Sequence, residues 1–258
     1  MTVFETIAVA FAMFSALPVP QPVWNAKNMR FALCAFPLIG LIIGVLCAVW
    51  SSICVFFGFP DILCGAGYCL IPILVTGGIH LDGYADTSDA LSSYASQEKR
   101  HEILRDPHCG AFAVIRLLVY GIADFALCVT LIPSRRTLLC LGCSFVLSRV
   151  LSALALTVLP LAKNTGLAHT FASSADKRHV RMILIIYLAA VCAVLLLVGA
   201  LTGLLMLMTS ALVCWRYRTV AVKTFGGVSG DLAGWFLQKA EIWMLTGLVL
   251  MQFVEKMI

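Results

Sequence analysis

The sequence predicts an all-α integral membrane protein, a helical bundle of about seven transmembrane helices. Three observations predict it. Of 258 residues, 61% are hydrophobic and only 12% are charged, whereas a soluble domain keeps roughly a quarter of its residues charged. Several apolar runs reach about 18 residues or more, the length a helix needs to cross a bilayer. Those runs are continuous rather than alternating, which selects helices over the strands of a barrel.

The elements follow in chain order. Residues 3–17 are apolar but short, and "LPVPQPVW" stops them, so this segment is expected to lie in the interface or insert only partly. Clear spans follow at about 31–57, 62–80, 111–132, 137–159 and 240–254. The run from Ile183 to Cys214 would be ~48 Å long as one helix. That is too long for a ~30 Å core even with tilt. "GALTG" at 199–203 is therefore read as a turn between two short spans, 183–198 and 203–215. No repeat or linker divides the chain, so residues 1–258 read as a single domain. The eleven cysteines fall almost entirely within apolar runs and read as packing residues. Cys140 and Cys143 form a CxxC without a second pair or a nearby histidine, so zinc is not expected there. Nor is a cleaved signal peptide, because Glu5 stands where a positive charge would be and no small-residue cleavage site follows.

Charge orients the bundle. If Lys27 and Arg30 are cytoplasmic, alternation puts segments 81–109, 160–181 and 216–239 on the same side. Those places hold Lys27, Arg30, Lys99, Arg100, Arg105, Lys163, Lys177, Arg178, Arg181, Arg216, Arg218, Lys223 and Lys239, 13 of the 18 positive residues. Arg135, Arg136 and Lys256 lie opposite. The positive-inside rule supports this orientation, with the Arg135–Arg136 pair dissenting. Every polar loop of useful length then faces the cytoplasm.

Acidic residues are concentrated in one of those loops. Asp82, Asp86, Asp89, Glu98, Glu102 and Asp106, six of the 13 in the chain, fall within 25 residues. On a helix Asp82, Asp86 and Asp89 share a stripe about 60° wide. Like charges so placed destabilise a helix unless a cation sits among them. None has a Lys or Arg at i±3 or i±4, which weakens the alternative of a plain solvated face. Hard cations such as Mg²⁺ take carboxylate oxygens from protein and the rest from water and phosphates. The stripe thus points to a divalent metal that also holds a phosphorylated substrate. His80 would lie opposite the stripe on a continuous helix, but Gly77–Gly78 could turn it inward. "SQEKRHEILRDPHCGAF" reads as a short charged helix stopped by Pro107. It is either an exposed salt-bridged helix or a second acidic cluster, Glu102 and Asp106 included, with Arg100 among the residues that would grip phosphates.

Two further features are chemical. Arg149 sits within "FVLSRVLSALALTVLP", and an intramembrane arginine usually faces a polar cavity. Arg116 and Asp124 could instead form a structural pair, awkwardly, eight residues apart. "KTFGGVSGDLAG" places Gly226, Gly227 and Gly230 between Lys223 and Asp231, and glycines let backbone N–H groups approach a phosphate.

Together these pieces resemble the cobalamin synthase family, the adenosylcobinamide-GDP ribazoletransferases. The resemblance rests on "ALPVP", "FPLIGLIIG", "GGIHLDGYADTSDAL", "KRHEILRDPHCGAFAV", "LSRV" and "GGVSGDLAG", in that order over nearly the whole chain. There are departures: His101 for an apolar residue, Pro107–His108 for a Ser-led pair, and Ala113 for a common Gly. None touches the aspartates.

The resemblance implies the last joining step of cobalamin assembly. Adenosylcobinamide-GDP and α-ribazole, or its 5′-phosphate, give adenosylcobalamin, or its 5′-phosphate, and GMP. It implies Mg²⁺ as cofactor, held by Asp82, Asp86 and Asp89, with His80 or one of those aspartates as base. Arg149, Lys223 and the 226–231 loop would grip the diphosphate. It implies a bacterial inner-membrane location with the site facing the cytoplasm, and no nucleic-acid partner. Homo-oligomerisation and association with other cobalamin-assembly enzymes stay open. Two rival classes fit less well. A CDP-alcohol phosphotransferase would carry Arg where Asp86 stands, and a transporter would place carboxylates near the midplane with repeat symmetry.

Overall fold

A computed structural model of the chain describes residues 3–20, 22–162 and 166–257; Lys163, one of the positive charges counted above, lies outside them. Twelve helices are described: α1 (Val3–Phe14), α2 (Ala26–Met29), α3 (Ala32–Phe57), α4 (Asp61–Thr76), α5 (Ile79–Ser92), α6 (Gln97–Ile103), α7 (Ala111–Thr130), α8 (Arg135–Val158), α9 (Leu167–Ser174), α10 (Lys177–Val198), α11 (Ala200–Phe225) and α12 (Gly230–Met257). Among the described residues the sole extended pairing is a parallel bridge between Leu161 and Val228.

Each expected span but 62–80, which crosses the break between α4 and α5, matches one helix, but their limits and number differ. Five helices, α3, α7, α8, α10 and α11, are long and apolar enough to cross a membrane. The count is six if the pair α4–α5, bent by 92°, is taken as one broken span, against about seven expected. The seventh expected span lies inside α12, which runs over 28 residues and takes in Lys239 and Glu241 ahead of its apolar half. The break near 199 is at Gly199, yet the helices on either side have 22 and 26 residues. They are longer than the two short spans the hydropathy gave, because helix continues through the polar ends. At twelve residues, α1 is ~18 Å long, short of a ~30 Å core, and it packs against α3.

The interior is built on α3, α8 and α12. α3 packs along α8, and α12 packs on α5, α8 and α11. α7, α10 and α11 turn apolar faces outward, as Leu118, Ile122, Leu197, Leu201 and Leu212 show, which is what hydrocarbon around a bundle requires. At one end the polar connections gather. Arg30 pairs with Asp176, and His101 Nε2 meets the Phe225 carbonyl at 3.0 Å. The stretch 160–162 binds Val228 through Val228 N–H to Pro160 O at 2.8 Å and Ala162 N–H to Val228 O at 2.9 Å. The opposite end is closed by Arg136 on Glu255 at 2.7 Å and by Gln252 Nε2 donating to Ile132 O at 2.8 Å.

Candidate active site

The aspartate stripe lies on α5, and the chain reaches it through an elbow. Gly77 and Gly78 have φ of 63° and 80°, the left-handed region that glycine enters without a Cβ clash. Two such residues stop α4 and redirect the chain by 92°. The N-terminal "ALPVP" backs this elbow, with Ala16 N–H donating to Val75 O at 2.8 Å.

Beyond the elbow, α5 meets the start of α12 at backbone distance. A Cβ on Gly83 would lie 2.7 Å from Asp231 O, and one on Gly234 would lie 2.8 Å from His80 O. Any side chain at either position would separate the helices. This contact carries Asp231, in the first turn of α12, to the stripe, so that Asp86 lies within electrostatic reach of Asp82, Asp89 and Asp231. Sequence reading named Asp231 but grouped it with phosphate contacts; Gly83 and Gly234 were missed. Their signal was small residues at facing positions of two helices, which one sequence cannot pair.

A cleft of about 520 Å³ opens beside the stripe, lined by Gly77, Gly78, Asp82, Asp86, Pro107 and His108 among others. Among the described residues, neither Asp82 nor Asp86 forms an ion pair. Asp89 is placed differently. Its Oδ1 accepts from Ala113 N–H at 3.2 Å, capping the first turn of α7, and its carboxyl packs against Gly110. A carboxylate there satisfies an orphan amide and the helix dipole. The chemistry of the donor set fits a hard cation at Asp82, Asp86 and Asp231, three oxygen donors on two touching helices, with Asp89 turned toward α7. Among the described residues, no three acidic, Cys or His side chains are already closed into a coordination shell.

His80 does not line the cleft. The elbow buries it, with 6% of its surface exposed and its ring edge-on to Phe36 at 5.7 Å; its Nε2 has no partner. The histidine that lines the cleft is His108. Its Nδ1 lies 2.7 Å from Asp106 Oδ1, and its backbone N–H donates to the same oxygen at 2.9 Å. These bonds hold the Asp106 carboxyl below the usual carboxylate range. An ionised Asp106 selects the tautomer with a proton on Nδ1, leaving Nε2 as the acceptor.

The remaining predicted residues divide. Glu102 is exposed and paired with Lys99 at 2.7 Å, the salt-bridged helix of the plainer reading. Arg100 sits on the same helix, its Nε buried without a partner. Lys223 is exposed in the last turn of α11. Gly226 caps that helix with φ 74°. The Gly227 N–H donates to Ala221 O at 2.9 Å, and the backbone of 160–162 lies against its Cα. These two glycines therefore serve a helix end and a close backbone crossing, and the Gly227 amide is already engaged. Gly230 and Asp231 open the first turn of α12, where Ser229 caps the Leu232 and Ala233 amides.

Arg149 requires a correction. It is 1% exposed and does not line the cleft. Its Nη1 pairs with Glu241 at 2.8 Å and donates to Phe145 O at 2.8 Å, and Ser148 Oγ also donates to Glu241 at 2.7 Å. The structural partner is Glu241, on α12, and not Asp124, which hydrogen-bonds with Cys69. Nothing within one helix could reveal a partner 92 residues away.

Comparison with known proteins gives the family. The profile of the cobalamin-5-phosphate synthase family matches residues 6–249. The chain belongs to that family. A relative from Lachnoclostridium phytofermentans, an adenosylcobinamide-GDP ribazoletransferase, is 42% identical over 238 residues, covering 92% of this chain and 90% of that one. Proteins of the same name from a Geobacillus species and from Clostridium botulinum are 32% and 27% identical. They cover 89% and 93% of this chain, and 89% and 94% of their own lengths. No solved structure matches.

Proposed function

We infer that this chain is an adenosylcobinamide-GDP ribazoletransferase whose reaction takes place in the cleft between α5, α7 and the 107–109 turn. Family membership carries the activity. The observation that carries the location is the meeting of Asp82 and Asp86 with the Asp231 turn beside an open cleft.

In this reading Asp82, Asp86 and Asp231 would hold Mg²⁺, which would supply charge neutralisation for the diphosphate. The residues of the chain do the rest. The positive end of the α12 dipole points toward a phosphate, while Lys223 and Arg100 supply positive charge at the same end of the bundle. A ribazole hydroxyl forms a bond to the phosphorus that bears the cobinamide arm. The bond from that phosphorus to the GMP oxygen breaks, and the hydroxyl proton passes to Nε2 of His108, which Asp106 holds in place. His80 and Arg149 act from behind, as packing and pairing within the bundle. The positive residues near the cleft support a cytoplasmic position for it, where a nucleotide substrate is available.

The test is GMP release by the purified full-length chain given adenosylcobinamide-GDP, Mg²⁺ and either α-ribazole or its 5′-phosphate. Release with one or both acceptors is expected, and the ratio identifies the natural acceptor. Release that persists in both Asp82→Asn and Asp86→Asn would place the chemistry elsewhere.

A further inference from the structure

Arg135 and Arg136 run against the charge asymmetry of the chain, at the end of the bundle away from the cleft. Arg136 is accounted for. It forks onto Glu255 at 2.7 and 2.9 Å and donates to Thr202 Oγ1 at 2.8 Å. Arg135 is exposed and has no ion pair or hydrogen-bond partner for its side chain among the described residues.

Arg135 stands at the end of a groove of about 710 Å³ between α3, α8 and α10. Every other residue lining that groove is uncharged, and the walls include Leu41, Val45, Leu139 and Val194. Its floor is low because α3 and α8 cross at glycine: a Cβ on Gly44 would lie 2.7 Å from Gly142 Cα. Gly40 faces Phe145 while Gly44 faces Gly142, so the helices are antiparallel and Ser52 of α3 lies at the Arg135 end. From Ser52 to Pro37 the groove follows α3 for ~22 Å. One leaflet of hydrocarbon is ~15 Å deep, which leaves several ångströms for a headgroup at the arginine.

We propose that this groove binds one anionic glycerophospholipid of the leaflet opposite the cleft, its phosphate at Arg135 and an acyl chain along α3 and α8. Charge complementarity selects the occupant. An apolar trough one leaflet deep, ending in a single unpaired guanidinium, matches a chain that ends in a phosphate. It also gives the dissenting arginine a reason to lie on that side.

The experiment is native mass spectrometry of the delipidated full-length protein in detergent, titrated with dioleoyl-phosphatidylglycerol or dioleoyl-phosphatidylcholine. We expect one retained phosphatidylglycerol per chain, bound about five-fold more tightly than phosphatidylcholine. Arg135→Gln removes that preference, and Ala190→Trp, which fills the groove from its exposed α10 wall, lowers the affinity for both lipids. Equal affinity for the two lipids, or a preference that survives Arg135→Gln, overturns the proposal. So does a detergent-stable dimer that Ala190→Trp dissociates, which would assign the groove to a second copy. Arg135 is exposed and unpaired, so its variant tests the preference without risk to folding.

Discussion

The cleft and the interior use charge in opposite ways. Inside the bundle Arg149 and Glu241 are both nearly inaccessible. They answer each other, with Ser148 and the Phe145 carbonyl completing the set. At the cleft Asp82 and Asp86 have no basic partner among the described residues, and Asp231 is brought toward them by two glycines with no room for a Cβ. Burying a paired charge costs desolvation that the pairing offsets, whereas breaking such a pair leaves one group uncompensated. Converging carboxylates without cations are costly unless something positive arrives. The interior pair is complete as folded, whereas in the proposed function the cleft is completed by a ligand.

That contrast can be broken first at the aspartates. Asp82→Asn and Asp86→Asn should each lower GMP release by about 10³-fold, the scale of losing a preorganised electrostatic contact, while the protein inserts and unfolds as before. Normal turnover with weakened folding would reverse the assignment. The next largest effect is expected at His108→Gln, about 10²-fold in kcat. A variant that keeps the parent kcat would return the proton transfer to a carboxylate.

The interior pair should respond in stability instead. Arg149→Leu or Glu241→Leu alone should cost about 3 kcal/mol, and the double variant should recover most of it. Thermal unfolding in detergent reads this directly. Recovery in Arg149→Leu with Asp124→Leu, and none with Glu241→Leu, would contradict the pairing.

The smallest effect lies at the Arg30–Asp176 bridge. Arg30 and His179 hold the Asp176 carboxyl below its ordinary range. A depressed carboxylate contributes stability above its unfolded-state pKa and loses it as pH falls through the lower folded value. Arg30→Ala should therefore lower Tm slightly at neutral pH, and the gap should close on acidification. A gap that widens in acid would contradict this sign.

Much of this was legible in the sequence. Helix positions followed from hydropathy because in lipid an apolar run has few alternatives to helix. The aspartate stripe was legible because its spacing lies within one helix. What the sequence could not place depended on contacts between helices. His80 could not be placed until the elbow's direction was known, and Asp89 could not be separated from its neighbours until α7 supplied an amide. Arg149 was assigned to substrate because its acid lies on α12, and Gly226–Gly227 were read as a phosphate loop because the 160–162 backbone is distant in sequence. Residue type announced the chemistry, and only packing showed which groups were already satisfied.

The most direct test of the central contrast is Mn²⁺ binding, followed by electron paramagnetic resonance on the purified protein, since Mn²⁺ accepts the same oxygen donors as Mg²⁺. The account predicts a site in the parent chain that Asp86→Asn and Asp231→Asn weaken strongly and that Glu241→Gln leaves intact. Binding that survives both aspartate changes, or that disappears with Glu241→Gln, would contradict it.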